Sequence, residues 1–189
     1  MMIPMLSSIE EVHEVIGIVQ EIRSEFTRKK MGYDEKMPIG GMIEVPAAAL
    51  CAGEFARELD FLSIGTNDLI QYAVAIDRVN DEVSYLYNPL NFGVLRLISI
   101  SIDAARSEGI PISMCGEMAG DPRYTRLLVG LGLKEFSVHP TGILEIKRII
   151  KDTSAADSQQ LVDTLMSDEE PERRQELLDS LCFDLPPME

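Results

Sequence analysis

The sequence is poor in aromatic residues. It contains no tryptophan, and phenylalanine and tyrosine together make up only 6% of its 189 residues. It also lacks any apolar run approaching the roughly 20 residues that a membrane-spanning helix needs. No basic segment leads into a short apolar stretch, so the sequence predicts no secretory signal. Hydrophobic residues still account for 46% of the chain, which is enough to build the core of an ordinary globular domain.

Positive charge is scarce in this chain. There are 17 lysines and arginines against 32 aspartates and glutamates, which gives a formal net charge of −15. Nucleic acids and anionic membranes bind basic surfaces, so the charge balance argues against both as partners. It does not exclude a small anionic substrate, because a few local cations and a bound metal can hold a phosphate whatever the global charge.

Cysteine is present at only three positions, Cys51, Cys115 and Cys182, which are far apart along the chain. An odd number of distant cysteines predicts no disulfide framework. No Cys-x-x-Cys or His-x-x-x-His spacing indicates a zinc site. We therefore expect a reduced protein of the cytoplasm.

Short apolar runs alternate with amphipathic helices over residues 1–152, and an acidic tail of one or two helices follows over residues 153–189. Continuous apolar strands separated by helices are typical of an α/β fold with a parallel sheet. Five strands are too few for a complete (β/α)₈ barrel of about 250 residues, so the pattern alone fits either an open sheet or part of a barrel. The predicted strands are Met1–Leu6, Ile39–Val45, Asp60–Ile64, Ile110–Cys115 and Glu135–Val138.

Local signals predict where several helices begin and end. Ser8 and Glu11 match a capping box before the first helix, and Asn91 and Gly109 are typical of the start and end of the long helix before the fourth strand. The Asp-Pro pair at residues 121–122 predicts the start of another helix. We expect one helix over residues 47–58 and a turn over residues 65–68.

Polar side chains follow four of these strands at the point where each strand ends. Because the carboxyl ends of parallel strands meet at one edge, we expect these groups to lie on a common face. In strand order they are Glu44; Thr66, Asn67 and Asp68; Cys115 and Glu117; and His139.

The residue types on this face, with Arg78 in the loop beyond it, suit a magnesium ion and a phosphate group. Mg²⁺ favours one or two carboxylates together with substrate oxygens, which Glu44 and Asp68 can provide. Asn67 can donate to a phosphate, and the guanidinium of Arg78 can do so with two N–H groups. Cys115 is then the group on this face that can donate a proton near neutral pH without being tied to the metal.

Each of these residues also has a purely structural interpretation. Glu44 can be a partly exposed strand end, Asn67 and Asp68 can cap a helix, and Arg78 can form a surface ion pair. Cys115 can simply be a small buried apolar residue. These separate interpretations do not account for the placement of all the groups on one face, which favours a common site.

Three segments, GGMIEVPAAAL, DFLSIGTNDLIQYAVAIDRVND and MCGEMAGD, occur in this order along the chain. They closely resemble the phosphoenolpyruvate-binding barrel of enzyme I of the bacterial phosphotransferase system. The resemblance runs from Met1 to about Lys151 and continues more loosely to the end. Pyruvate phosphate dikinase and phosphoenolpyruvate synthase share this barrel but have a longer insertion in place of Arg78–Leu90, which favours enzyme I. The nitrogen-branch paralogue of enzyme I is similar over the same stretch.

This resemblance implies a fold, an activity and partners. The fold is about five of the eight strands of a (β/α)₈ barrel, forming the carboxyl-terminal part of a longer enzyme, with the acidic helical tail after it. The activity is transfer of phosphate from phosphoenolpyruvate to a histidine of a separate domain and on to an HPr-type carrier, with release of pyruvate. Neither His13 nor His139 lies in the acceptor motif of the family. A homodimer is expected, and His139 is expected to have a structural or exposed role.

The resemblance also implies a role for each candidate residue. Glu44 and Asp68 bind Mg²⁺, and Asn67 and Arg78 contact the phosphate of the substrate. Cys115 is the catalytic acid that protonates the enolate carbon after the phosphate has left. The loop glycines that follow it, in the segment MCGEMAGD, are expected to let the substrate approach the backbone closely. A dikinase or synthase relative, or a non-catalytic dimerisation or regulatory module, would be the alternative functions.

Overall fold

Each strand of the sheet pairs in parallel with the strand that follows it along the chain, in the order β1-β2-β3-β4-β5. The computed structural model describes residues 1–77, 80 and 82–182. The strands are β1 (Met2–Ile3), β2 (Gly40–Ile43), β3 (Phe61–Gly65), β4 (Ile112–Cys115) and β5 (Glu135–Phe136).

Helices connect the strands and form the end of the described chain. Short 3₁₀ turns occur at Ser84–Leu86, Pro122–Tyr124 and Pro140–Gly142. In the described part of the chain, no helix combines the length and the apolar composition needed to cross a bilayer. The α-helices are α1 (Ile9–Arg28), α2 (Pro46–Leu50), α3 (Ala52–Glu58), α4 (Thr66–Ala73), α5 (Phe92–Glu108), α6 (Glu117–Gly120), α7 (Thr125–Gly130), α8 (Ile143–Asp152), α9 (Ala155–Ser167) and α10 (Pro171–Cys182).

The order of the strands distinguishes the two architectures that the sequence left open. Parallel crossovers are right-handed, so a sheet whose strands follow one another in sequence carries all its helices on one face, as a (β/α)₈ barrel does. A doubly wound sheet reverses its strand order part-way and has helices on both faces. The observed order is therefore that of a barrel wall, and the expected α/β fold of barrel type is confirmed.

The two faces of the sheet differ in composition. Ile43, Ile64 and Met114 align across β2, β3 and β4, and their buried side chains belong to the main core together with those of α5. The preceding residue in each strand points to the opposite face, where Ser63 and Ser113 align with each other. The helix-covered face thus supplies the hydrophobic core, while the other face carries the two serine hydroxyls together with Met42, which aligns with Ser63.

Local sequence signals account for the helix ends that were predicted. Ser8 and Glu11 form the expected capping box at the start of α1, which satisfies amide groups that have no partner within the helix. The Asn91 side chain accepts from two amides at the start of α5, and Gly109 ends that helix with φ of 72°. A left-handed conformation of this kind is readily adopted by glycine and strained for other residues.

Two stretches differ from the expected boundaries. The single helix expected over residues 47–58 is divided into α2 and α3 at Cys51, two residues before Gly53, a residue type that weakens helices. Thr66 begins α4 directly after β3, so Asn67 and Asp68 lie in the first turn of a helix rather than in a preceding turn.

The tail packs onto the rest of the structure through α9 and α10. Helix α9 lies against α7 and contacts α10. Two arginines lie over the ring of Phe92, at the start of α5. The distance from the guanidinium carbon to the ring centre is 3.9 Å for Arg174 and 4.8 Å for Arg96. Near the end of α10, Cys182 is buried, and this burial, followed by the nearby charge of Asp179, raises the pKa of its thiol to about 12.

Replacement of Gly130 by alanine should lower the free energy of unfolding by about 1–3 kcal/mol, because overpacking a tight interface forces it apart. A Cβ on Gly130 would lie 2.6 Å from the carbonyl oxygen of Ser158 in α9. Gly17, inside α1, has open space around it, so Gly17→Ala should raise the same free energy by about 0.5–1 kcal/mol. Urea unfolding of both variants measures the two changes in the free energy of unfolding. If both variants were stabilised or both destabilised, the close packing of α7 on α9 would be contradicted.

Candidate functional site

The candidate residues gather at the carboxyl edge of the three central strands. Glu44 directly follows β2, Thr66 directly follows β3, and Cys115 is the last residue of β4. Gly65 and Cys115 are aligned partners across β3 and β4. The Glu44 carboxylate, the Asn67 amide in the first turn of α4 and the Cys115 thiol therefore lie at neighbouring strand ends.

Glu44 is held in place by the backbone around it. Its side chain is only 5% exposed, and its Oε1 atom accepts a hydrogen bond from the amide of Met5 at 2.7 Å. A Cβ on Gly65 would lie 2.8 Å from Glu44 Oε2, so the carboxylate occupies space that only glycine leaves open. The Met5 contact fixes one carboxylate oxygen, and the other lies over the end of β3.

Asp68 lies in the first turn of α4, directly after β3, and is half-buried. Glu44 lies at the corresponding end of the neighbouring strand β2. Among the described residues, no group of three or more His, Cys, Asp and Glu side chains is arranged to hold a metal ion. Two carboxylates completed by water and substrate oxygens are a normal donor set for Mg²⁺. The residue types at these strand ends therefore fit the implied metal, and joint coordination by Glu44 and Asp68 stays a prediction.

Two hydrogen bonds connect the loops that follow β3 and β4. The Thr66 hydroxyl donates to the carbonyl oxygen of Cys115 at 3.0 Å. The amide of Glu117 donates to Asn67 Oδ1 at 2.9 Å. Because an N–H group requires an acceptor, this contact fixes the orientation of the Asn67 amide, whose NH₂ group is then the part that can donate to an anion.

Gly116 allows the loop after β4 to approach α4 this closely. Its φ of 93° and ψ of 179° lie in a region that is essentially restricted to glycine. A Cβ at this position would lie 2.4 Å from Thr66 Oγ1 and 2.9 Å from Asn67 Oδ1. This glycine makes room for the loop contact with α4, while the close approach of a substrate expected from the sequence stays a prediction.

Cys115 is partly buried, and its thiol makes two contacts. The Sγ atom donates to the carbonyl oxygen of Ile64 at 3.6 Å and accepts from the hydroxyl of Ser63 at 3.9 Å. Ser63 accepts in turn from the hydroxyl of Ser113 at 3.1 Å. Neither serine was predicted from the sequence to belong to the site, although each lies two residues before an edge residue and therefore on the same face of the strand as that residue.

The end of the loop after β4 is fixed by an ion pair. Asp121 accepts hydrogen bonds from the Nε and the backbone amide of Arg123, each at 3.0 Å. Burial acts to raise the pKa of the Asp121 carboxyl, but the bonds from Arg123 outweigh it and hold that pKa below its usual range. Asp121 also caps the 3₁₀ turn that follows, as its Asp-Pro sequence predicted.

Two candidate residues lie apart from these contacts. Arg78, predicted to bind phosphate, falls outside the described residues. His139 is exposed, and its Nδ1 atom accepts from the amide of Thr141 at 3.4 Å, capping a 3₁₀ turn. A capping role accounts for this histidine and agrees with the structural role expected for it.

The family of the chain follows from comparison with known proteins. A family model described as the PEP-binding domain of PEP-utilising enzymes matches residues 1–155. The chain belongs to this family. The resemblance to a PEP-binding domain noted in the sequence is thereby confirmed, and the strand edge described above lies within the matched residues.

Curated relatives of this PEP-binding domain carry the name phosphoenolpyruvate-protein phosphotransferase. The protein from Cupriavidus necator is 41% identical over 182 residues, which are 96% of this chain and 31% of that protein. The proteins from Priestia megaterium and Haemophilus influenzae are 44% and 43% identical and are matched over 88% and 87% of this chain. The chain spans 29% of the length of each of these two.

Solved structures with the same fold are more distant in sequence. A citrate lyase from Burkholderia xenovorans has a TM-score of 0.56 at 20% identity, and the match covers 78% of this chain and 47% of that one. The CitE protein of Mycobacterium tuberculosis, solved with magnesium and acetate, has a TM-score of 0.53 at 16% identity over 84% of this chain and 62% of that one. At these identities the similarity concerns the fold alone.

Replacement of Gly116 by alanine should lower the free energy of unfolding by about 2–4 kcal/mol, combining backbone strain with overpacking. It should also speed exchange of the Glu117 amide hydrogen, because the Cβ displaces Asn67. Gly120→Ala is a matched control in the same loop, where a Cβ meets no atom within 4 Å. Amide exchange and urea unfolding measure both effects, and similar behaviour of the two variants would contradict the role given to Gly116.

Proposed function

We propose that this PEP-binding domain is the substrate-binding part of a phosphoenolpyruvate-protein phosphotransferase. The reaction transfers the phosphoryl group of phosphoenolpyruvate to a histidine elsewhere in the protein and then to an HPr-type carrier, with release of pyruvate. The observation that carries this proposal is the edge where Glu44, Asn67 and Cys115 follow three neighbouring strands. Its second support is the name shared by relatives that are 41–44% identical.

In this proposal, Glu44 and Asp68 hold Mg²⁺. The metal, when bound, neutralises charge on the phosphate and carboxylate of the substrate. The contribution of the chain is to keep the two carboxylates at adjacent strand ends. The Met5 amide fixes Glu44 at 2.7 Å, so the carboxylate is already oriented before any ligand arrives, which reduces the cost of binding.

The phosphate is held by Asn67 and by Arg78. The Asn67 amide is oriented by the Glu117 N–H, so its NH₂ group can donate to a phosphate oxygen. The guanidinium of Arg78 would supply two further N–H donors and a full positive charge. Donors fixed before the reaction stabilise the charge that spreads over the phosphoryl oxygens during transfer.

Cys115 completes the reaction as a proton donor. When the bond between phosphorus and the bridging oxygen breaks, its electron pair stays on that oxygen and the enolate of pyruvate is left. The proton of the Cys115 thiol then passes to C3 of the enolate, and the electron pair of the S–H bond stays on sulfur. The product is pyruvate, and solvent water returns a proton to the thiolate.

The proposed partners follow from the same assignment. Phosphoenolpyruvate and pyruvate are the ligands of this domain, and an HPr-type carrier is the final acceptor. The chain has a net charge of −15, which opposes binding to nucleic acid or anionic membrane. A cytoplasmic location, expected from the three distant cysteines, is also part of the proposal. In the described sheet β1 and β5 are edge strands, and association through this domain into a homodimer is part of the proposal.

Replacement of Glu44 by glutamine, or of Asp68 by asparagine, should reduce pyruvate formation from phosphoenolpyruvate at least about 100-fold, because each change removes one charged ligand of the metal. The assay uses the full-length protein with an HPr-type carrier over a range of Mg²⁺ concentrations. Asp103→Asn is the control, since Asp103 pairs with Arg106 at an exposed position on α5 and such pairs contribute little. Normal activity of both site variants would refute the metal assignment.

Replacement of Cys115 by alanine should lower kcat for pyruvate formation by about 10²–10⁴-fold, the usual contribution of a positioned acid. The KM for phosphoenolpyruvate should stay within about twofold, because the thiol contributes to the proton transfer and not to substrate binding. Cys51→Ala is the control, as Cys51 is exposed and lies between α2 and α3. Detection of a phosphorylated thiol on Cys115 would show that it acts as a nucleophile instead.

A further inference from the structure

The thiol of Cys115 lies at the end of a chain of hydrogen bonds in which every group donates in the same direction. Ser113 donates to Ser63 at 3.1 Å, Ser63 donates to Cys115 Sγ at 3.9 Å, and the thiol donates to the carbonyl of Ile64 at 3.6 Å. Ser63 is 4% exposed, so water competes little for its hydroxyl. Bonds arranged in this way polarise and strengthen one another.

The two contacts of the sulfur favour opposite protonation states. The Ile64 carbonyl can only accept, so it holds the protonated thiol and gains nothing from the thiolate. The Ser63 hydroxyl donates to sulfur, and a bond of this kind becomes stronger when its acceptor is charged. The carbonyl therefore favours the thiol before the reaction, and the hydroxyl favours the thiolate that remains after the proton has left.

We propose that Ser63 is a positioning residue for the proton transfer, and that it orients the Cys115 sulfur and stabilises the thiolate formed when the S–H proton passes to C3 of the enolate. This inference rests on the proposed function. Ser113 acts one step further away, because its hydroxyl holds Ser63 in the donating orientation. No other described side chain donates to this sulfur, so the stabilisation depends on Ser63.

The first test measures the sulfur without turnover. Alkylation of Cys115 by iodoacetamide at pH 7 is followed by mass spectrometry of the Cys115 peptide in the full-length protein. Because the thiolate is the reacting form, Ser63→Ala should slow alkylation about fivefold and Ser113→Ala about twofold. Ser63→Thr, which keeps the hydroxyl, should restore the parent rate.

Ser101→Ala is the matched control for loss of a buried serine. Ser101 is fully buried in α5, where its hydroxyl donates to the Leu97 carbonyl at 2.8 Å. Its loss should leave the alkylation rate of Cys115 within about 20% of the parent. Thermal unfolding of all variants shows whether the changes in rate follow overall stability. If Ser63→Ala and Ser101→Ala slow alkylation equally, the inference is wrong.

The second test measures turnover. Ser63→Ala should lower kcat for pyruvate formation about tenfold with an unchanged KM for phosphoenolpyruvate, and it should increase the solvent deuterium isotope effect, because the proton transfer becomes slower than the other steps. A parent protein that forms no pyruvate from phosphoenolpyruvate would overturn the proposed function and this role together. If the parent protein is active and the Ser63→Ala variant has the same kcat and the same isotope effect as the parent, only the role of Ser63 is overturned.

Discussion

The parallel pairing of β3 with β4 is the constraint on which the site depends. It aligns Gly65 with Cys115, so the first turn of α4, which carries the Asn67 amide, begins beside the Cys115 thiol at the end of β4. The bond from Thr66 to the Cys115 carbonyl extends this pairing by one step beyond the strands. Glu44 then fits against the end of β3 because Gly65 has no side chain. A shift of β4 by one residue against β3 would move the Cys115 side chain to the opposite face of the sheet.

Adjacent residues of β3 serve different parts of the molecule. The side chain of Ile64 is buried in the core on the helix side, while its carbonyl accepts from the Cys115 thiol on the other side of the strand. Ser63 carries the hydroxyl that approaches the same sulfur. Core packing and the geometry of the thiol are therefore coupled through the backbone of one strand. The hydrophobic core fixes the strand, and the strand holds the chemical groups at their distances.

The features that could be predicted from the sequence were those with local or motif-based signals. The capping box of α1, the caps of α5 and the grouping of polar residues at strand ends depend on neighbouring residues or on the general geometry of parallel sheets, and the structure contains them. The contact of Ser63 with Cys115 could not be read in this way, because it depends on the register between two strands 52 positions apart in sequence. The loop contact that Gly116 permits could not be read for a similar reason, since the atoms that exclude a side chain there belong to α4.

The position of Phe92 between Arg96 and Arg174 has a consequence for how the chain closes on itself. Phe92 is the first residue of α5 and terminates the long connection from α4, in whose sequence Arg78 occurs. Arg174 belongs to α10, the last described helix. The far end of that connection is therefore contacted by a residue 82 positions further along the chain, so local unfolding of α10 would also remove a cation from the Phe92 ring.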